Sequence, residues 1–499
     1  MHRFINSIQI HRIFLSLACL LLLGVVVLSF TRPLIPWDSW AYHFPFSAQL
    51  LNINQYGQSF GLDKSLQVRY EGFPLIAEFL QGALWKLTGS LSSAALLNSI
   101  SLCLFVWCSH RFGKANLTIL VFGILSIPMI AIHATSTYID LFFGIGVAFQ
   151  YLFAIIIYKE IERIDSVAPL KIWGWCYVIS AFVLGNTKMW GPILSLAISA
   201  FLFIAIVFNQ KIRVNKNILR NTIFVLAIAC VLSCSTLIKN SLVHSNPIYP
   251  IAFKVPILNL QLNGPEIEYK NTPGYAEQYG VLSRPIYFLT SITEYDWAIR
   301  GVTPYYNVDM GSFEKPKNYS AARTGGWWGL NIVISISLLA ALCLLPKASK
   351  SNGHRIRFFP LTLFIFITCV TSFMPQSHEL RYFLYWPIVL MFNLAYLVTN
   401  LSLSIRYTNV IGALYIGLFI FSLIFLQNES IGSLLTYKSE RELIGIDATA
   451  IEVLTAKQLG GICLGPSYSP YQFNYSAVLQ GGNYFIEQSN CLNYPEFKK

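Results

Sequence analysis

The chain has 499 residues, of which 55% are hydrophobic, 15% aromatic and only 12% charged. Soluble domains run about a quarter charged and disperse their apolar residues by period, so a soluble enzyme and a disordered protein are excluded. The net charge of +12 is not gathered into patches, which excludes a nucleic-acid binder and leaves a multi-pass membrane protein.

A helix needs about 20 residues to cross a bilayer. Apolar windows of roughly that length lie at 13–30, 89–109, 117–136, 139–158, 172–187, 190–208, 221–238, 327–345, 358–375, 382–402 and 408–426, which predicts about eleven spans. The first is preceded by His2, Arg3, His11 and Arg12 and leaves through Ser29-Phe30-Thr31-Arg32-Pro33. That exit has no small-residue cleavage site, so an uncleaved anchor is expected.

Placing the N-terminus in the cytoplasm and alternating puts most basic residues in the short inside loops. These hold Arg111 and Lys114; Lys159, Arg163 and Lys171; Lys211, Arg213, Lys216 and Arg220; Lys347, Lys350, Arg355 and Arg357; and Arg406. The short outside turns hold essentially Lys188 and Arg381. Lys and Arg retained inside set orientation. The basicity is therefore a topology signal, and the expected location is the plasma (inner) membrane with the C-terminus extracytoplasmic. The expected fold is an all-α polytopic domain over 1–426, with about 11 transmembrane helices, followed by a small extracytoplasmic module over 427–499.

Two long loops, about 31–88 and about 239–326, fall outside. Within the first, FPLIAEFLQGALWKLTG (73–89) carries Glu78 and Lys86 and reads as an amphipathic helix on the membrane surface. The second is rich in Pro, Tyr and Asn and ends in GGWWGL (325–330), where Trp327 and Trp328 suit an interfacial belt. The tail reads as one short helix and some strand.

Eight cysteines (Cys19, Cys103, Cys108, Cys176, Cys230, Cys234, Cys343 and Cys369) lie in or at the ends of apolar windows and read as small buried residues. Cys463 and Cys491 lie in the outside tail, where an oxidising compartment favours a disulfide. No CxxC pair or His cluster with metal spacing is evident.

The residues able to do chemistry lie on the outside. Asp38 follows the first span in PWDSWAYHFP (36–45), which also holds His43. Asp140 opens the fourth span in STYIDLFFG (136–144), among Ile139, Leu141, Phe142 and Phe143. A carboxylate at a helix start can simply answer the helix dipole, but an ionisable group at that depth is by default a functional hypothesis. Lys188 lies in GNTKMWGP (185–192), Arg381 and Tyr382 in SHELRYFLYWP (377–387), and His244 with Asn246 in HSNPIYP (244–250). Each cation alone is accounted for by snorkelling or capping. Together, Asp38, Asp140, Lys188, His244 and Arg381 are distant in sequence, yet the topology puts them on one face. Carboxylates plus cations at one membrane surface suit a reaction at a phosphate-bearing lipid headgroup.

In these stretches the chain resembles the GT-C superfamily of membrane glycosyltransferases, near the bacterial relatives of protein O-mannosyltransferases and the lipid A aminoarabinose transferase. The likeness runs through PWDSWAYHFP, the juxtamembrane EGFPLIAEFLQGALWKLTG, YIDL, NTKMW, NPIYP and RYFLYWP in order, over roughly residues 1–400. The tail is not covered. Asp38 stands alone (WDS) where the strongest form of the pattern has an adjacent acidic pair, and this leaves metal dependence open.

The resemblance implies transfer of a sugar from a polyprenyl-phosphate carrier to an acceptor on a glycan, lipid or protein at the outer face. Asp38 is the expected general base, with Asp140 as a second catalytic acid that orients the acceptor or shares a divalent metal with Asp38. Lys188, Arg381 and Tyr382, with His244, His43 and Glu78, are the expected substrate-binding residues, the cations stabilising the leaving phosphate. A single displacement would invert the anomeric carbon. Two other readings stay open: a transporter or lipid flippase, and a polymerase or ligase of surface polysaccharide. Transporters usually place charges near the midplane and often show internal repeats; here the charges sit at one surface and no repeat is visible.

Overall fold

The computed structural model describes residues 2–53, 62–164, 168–209, 215–255, 260–267, 329–344, 353–374, 380–401 and 403–425, apart from Trp37 and Asp63 and with Pro285 and Phe288 in addition. The tail from 426 onward, with Cys463 and Cys491, lies outside the described residues, as do Trp327 and Trp328.

Sixteen α-helices occupy the described chain. They are α1 (His2–Thr31), α2 (Phe44–Leu51), α3 (Lys64–Gly72), α4 (Ile76–Thr88), α5 (Leu96–Arg111), α6 (Leu117–Leu125), α7 (Pro128–Ala134) and α8 (Asp140–Ile164). After these come α9 (Ala168–Gly185), α10 (Gly191–Val207), α11 (Lys216–Ser233), α12 (Ser235–His244), α13 (Gly329–Leu344), α14 (Gly353–Ser372), α15 (Tyr385–Asn400) and α16 (Ile405–Phe425). Five helical stretches are long and apolar enough to cross a membrane: Ile8–Thr31, Leu91–Arg111, Asp140–Glu162, Lys216–Ser233 and Ile405–Leu423. Four shorter apolar helices accompany them, at Leu170–Gly185, Gly191–Val207, Asn331–Leu344 and Phe358–Ser372.

The outer helices present apolar side chains to the surroundings, including Leu20 and Leu23 on α1, Ile172 on α9, Phe224 on α11 and Val410 on α16. An apolar exterior of that extent is tolerated where lipid is the solvent. The chain is a multi-pass membrane protein. At its centre stands α8, almost wholly buried along its span, whereas α1 is largely exposed. It packs against α5, α9, α10, α14 and α15. The middle of α15, from Tyr385 to Val398, is buried throughout.

The window at 117–136 is not one helix. It divides at Ser126-Ile127-Pro128, where Ile127 is extended at φ −93° and ψ 107° and Pro128 opens α7. Proline pushes the residue before it out of the α region and itself offers no N–H to the preceding turn. Asn331 of α13 reaches across to the Ser126 hydroxyl at the break.

The long loop after α12 is not wholly irregular either. After α12, β1 (Ile251–Val255) pairs antiparallel with β2 (Leu260–Leu262) and parallel with β3 (Glu266–Ile267). Asn246 holds this small sheet to the chain before it by donating to the carbonyls of Ile251 and Asn263, at 2.9 and 2.8 Å.

Helix α4 reverses the pattern of an amphipathic helix in water. Its inward face carries Glu78, Gln81 and Trp85, against α2 and the 3-10 turn Leu91–Ala95, while Phe79 and Leu87 are exposed. Polar groups inside and apolar groups outside suit a helix between protein and lipid.

Candidate active site

Asp38 and Asp140 are brought together by backbone pairing. Leu34 and Ser136 form a parallel bridge, with Leu34 N–H donating to the Thr135 carbonyl and Thr137 N–H to the Leu34 carbonyl, both at 3.0 Å. Each acid lies four residues past its bridge partner. The segment between α7 and α8 is held on every side. Gln81 donates to the Thr137 carbonyl at 2.8 Å, and Asn98 to those of Ser136 and Tyr138 at 2.9 and 2.6 Å. Buried carbonyls left without such donors would carry a desolvation penalty.

Past Asp38 the chain makes one π-helical turn, Ser39–His43, in which Phe44 N–H reaches back to the Ser39 carbonyl. Such turns are rare and recur at functional sites. The turn is tied at its start by the Ser39 and Thr137 hydroxyls, 2.6 Å apart. At its end, His43 Nδ1 lies 2.8 Å from Glu78 Oε1, with both residues buried.

Lys188 sits in the tight turn between α9 and α10, which two glycines allow. A Cβ on Gly185 would stand 2.1 Å from the Ser233 carbonyl oxygen, and one on Gly191 2.1 Å from that of Leu184. Neighbouring Asn186 fastens the turn. Its Oδ1 accepts from the hydroxyls of Ser235 and Thr236, both at 2.7 Å, and its Nδ2 donates to the Leu232 carbonyl at 2.9 Å.

Arg381 lies on a 3-10 turn, Leu380–Phe383, ahead of α15. Trp386 Nε1 donates to the Thr368 hydroxyl at 2.8 Å, and the Tyr385 and Thr371 hydroxyls are 2.8 Å apart. Gly144 of α8 lets the turn come close, since a Cβ there would sit 3.0 Å from the Tyr385 nitrogen.

These four elements meet in two ion pairs. Lys188 Nζ bonds Asp140 Oδ1, and Arg381 Nη1 lies 3.3 Å from Asp38 Oδ2. Tyr382 joins them. Its hydroxyl accepts from Arg381 Nη2 at 2.6 Å, and its ring centroid is 4.9 Å from Lys188 Nζ and 4.7 Å from Arg381 Cζ. Phe143 also faces Lys188 at 5.7 Å, and Tyr138 faces Arg381 at 6.0 Å. Cations near ring faces are favoured by the ring quadrupole. The two acids differ in access: the Asp38 side chain is 24% exposed and that of Asp140 only 6%. A ligand can reach the first, while the second is closed off behind Lys188.

Of the expected residues, Asp38, Asp140, Lys188, Arg381 and Tyr382 converge. His43 and Glu78 meet each other immediately behind the Asp38 turn. His244 does not join them: its ring stacks on Tyr249, centroids 3.7 Å apart. Sequence reasoning missed Tyr42, four residues beyond Asp38 on the same helical turn. Burial first, and then the Asp38 and Asp140 carboxylates, push its phenol well above the usual range. It also missed Tyr138 and His133, whose rings stack at 4.8 Å. The spacing of Tyr42 from Asp38 and of Tyr138 from Asp140 was the available signal; nothing local marked His133.

As to a metal, each carboxylate is already opposed by a cation. Among the described residues no group of three or more His, Cys, Asp or Glu side chains is placed to hold an ion. Among the described residues, the two carboxylates face cations and are joined by no third ligand.

No family model matches the chain, and no curated protein does. Two solved structures are similar to it, both crystal structures of ArnT from Cupriavidus metallidurans. The one bound to undecaprenyl phosphate has 14% identity and a TM-score of 0.37, covering 78% of this chain and 77% of that one. The apo structure has the same identity and coverage with a TM-score of 0.36. An overlap this loose carries over neither residues nor chemistry.

Proposed function

We propose that the chain is a membrane glycosyltransferase of the GT-C kind, moving a sugar from a polyprenyl-phosphate donor to an acceptor hydroxyl at the outer face of the plasma membrane. The observation that supports this is the convergence of Asp38, Asp140, Lys188 and Arg381, from four separate elements, around one aromatic residue. On this reading about eleven helices span the bilayer, the N-terminus is cytoplasmic, and the tail from 427 is an extracytoplasmic module.

The donor's lipid tail lies in the bilayer and its phosphate meets Arg381 and Lys188. Asp38, the accessible acid, takes the proton of the acceptor hydroxyl as that oxygen attacks the anomeric carbon. The bond from that carbon to the phosphate oxygen breaks, its electron pair goes to the phosphate, and the anomeric configuration inverts. The leaving phosphate gains a negative charge as Asp38 loses one. Arg381, hydrogen-bonded to Asp38 at the outset, shifts its charge-assisted hydrogen bonding toward the phosphate as the charge moves. Asp140 fixes Lys188 in position beside the phosphate rather than taking a proton.

The test is mass spectrometry of lipid-linked sugars and envelope glycans in a deletion strain. A sugar–polyprenyl-phosphate should accumulate, with its sugar missing from one envelope component. Unchanged pools of both would overturn the proposal, and a sugar–lipid trapped on the cytoplasmic leaflet would point to a flippase instead.

A further inference from the structure

The His43–Glu78 contact is buried on both sides, at 2% and 3% exposure, and the second carboxylate oxygen, Glu78 Oε2, has no hydrogen-bond partner among the described residues. Burying a carboxyl oxygen without a hydrogen-bond partner costs free energy, which the rest of the fold must offset. His43 is the last residue of the π-helical turn whose first residue follows Asp38, and Glu78 projects from α4, a helix the chain reaches only after α2 and α3. A π turn is less favourable than an α turn and persists where its surroundings hold it. Side-chain contacts tie it at both ends, the Ser39–Thr137 hydroxyl contact at the front and the His43–Glu78 contact at the back.

We propose that His43 and Glu78 are a positioning pair for the general base: they hold the Ser39–His43 turn wound so that Asp38 faces Arg381 and the acceptor. Neither touches substrate. This deepens the assignment of Asp38 as base and rests on it. A neighbouring bond provides the control. Ser47 of α2 donates to the Glu78 backbone carbonyl at 2.8 Å, so it joins α2 to α4 at the same place without engaging the turn.

The experiment uses the full-length protein in nanodiscs, with three readouts. These are amide hydrogen exchange over residues 38–44, binding of undecaprenyl phosphate as the probe, and clearance of the accumulated lipid-linked sugar in the complemented deletion strain. Glu78→Ala and His43→Ala should speed exchange over 38–44 about 5-fold or more. They should lower clearance about 10-fold or more and leave probe binding within about 2-fold of wild type, a change too small to count against transition-state loss. Glu78→Gln keeps an oxygen to accept from His43 and should restore both exchange and clearance, while Ser47→Ala should leave both unchanged.

Unchanged exchange over 38–44 in Glu78→Ala would overturn the proposal. So would equal losses in Ser47→Ala, or loss of probe binding in step with clearance, since either marks general packing. If the pair fails these tests while Asp38→Asn remains inactive, the transferase reading stands; an active Asp38→Asn removes both.

Discussion

Replacing Lys188 with Met leaves Asp140 without its cation. The Asp140 side chain is 6% exposed and that of Lys188 15%, so the carboxylate cannot recover its lost partner by turning to water. Removing one member of a buried ion pair costs about 3–5 kcal/mol, because the other charge stays buried and uncompensated. Lys188 retains some solvent, which places the expected loss for Lys188→Met near the lower limit, at about 3 kcal/mol. Asp140→Asn should cost less, since a neutral amide leaves a lysine that can reach solvent. The double variant Asp140→Asn/Lys188→Met removes both charges and should recover most of the single variant's loss, by about 2 kcal/mol. The assay is thermal unfolding of the four proteins in one detergent. Transfer should be low in every variant, because the phosphate has lost a cation or that cation has lost its fixed position. A Lys188→Met protein as stable as wild type, or a double variant no better than that single one, would refute the assignment of Asp140 as structural partner to Lys188.

Three further outcomes are expected. Arg381→Lys keeps the charge but loses the planar fork that reaches Asp38 and the Tyr382 hydroxyl at once; undecaprenyl phosphate should bind about 10-fold more weakly, with transfer reduced but measurable. Gly185→Ala drives a methyl group into the Ser233 backbone, so stability should fall by about 1–3 kcal/mol and transfer should fall with it as the Lys188 turn shifts. Single cysteines at Ser59, Ser312 and Ser433 should all react with an impermeant thiol reagent in intact cells. Protection at Ser312 alone would mean that the span count before it is wrong by one.

The apolar windows were legible because lipid imposes a length and forbids charge, and helices stand at each of them. The division of 117–136 was written there too, in Ser126-Ile127-Pro128, but composition over a long window averages a proline away. The meeting of the two acids was visible only as a shared side of the membrane. What joins them is the Leu34–Ser136 bridge, and pairing between segments so far apart leaves no periodic trace. The cations were expected to stabilise a phosphate, and that each also faces a carboxylate was not legible, although opposite charges that close to a bilayer tend to pair. The face of α4 could be drawn on a helical wheel, but which face turned inward could not. That depends on Glu78 finding His43, and the partner is fixed only by the fold.

Everything proposed for the site turns on Asp38 acting as the base of a sugar transfer. Asp38→Asn keeps the size of the side chain and an oxygen to accept from Arg381, but it cannot take the acceptor's proton. Expressed in the deletion strain at the wild-type level, it should clear the accumulated lipid-linked sugar at least about 10²-fold more slowly than wild type, while undecaprenyl phosphate binds it about as well. Clearance at the wild-type rate would rule out Asp38 as the base.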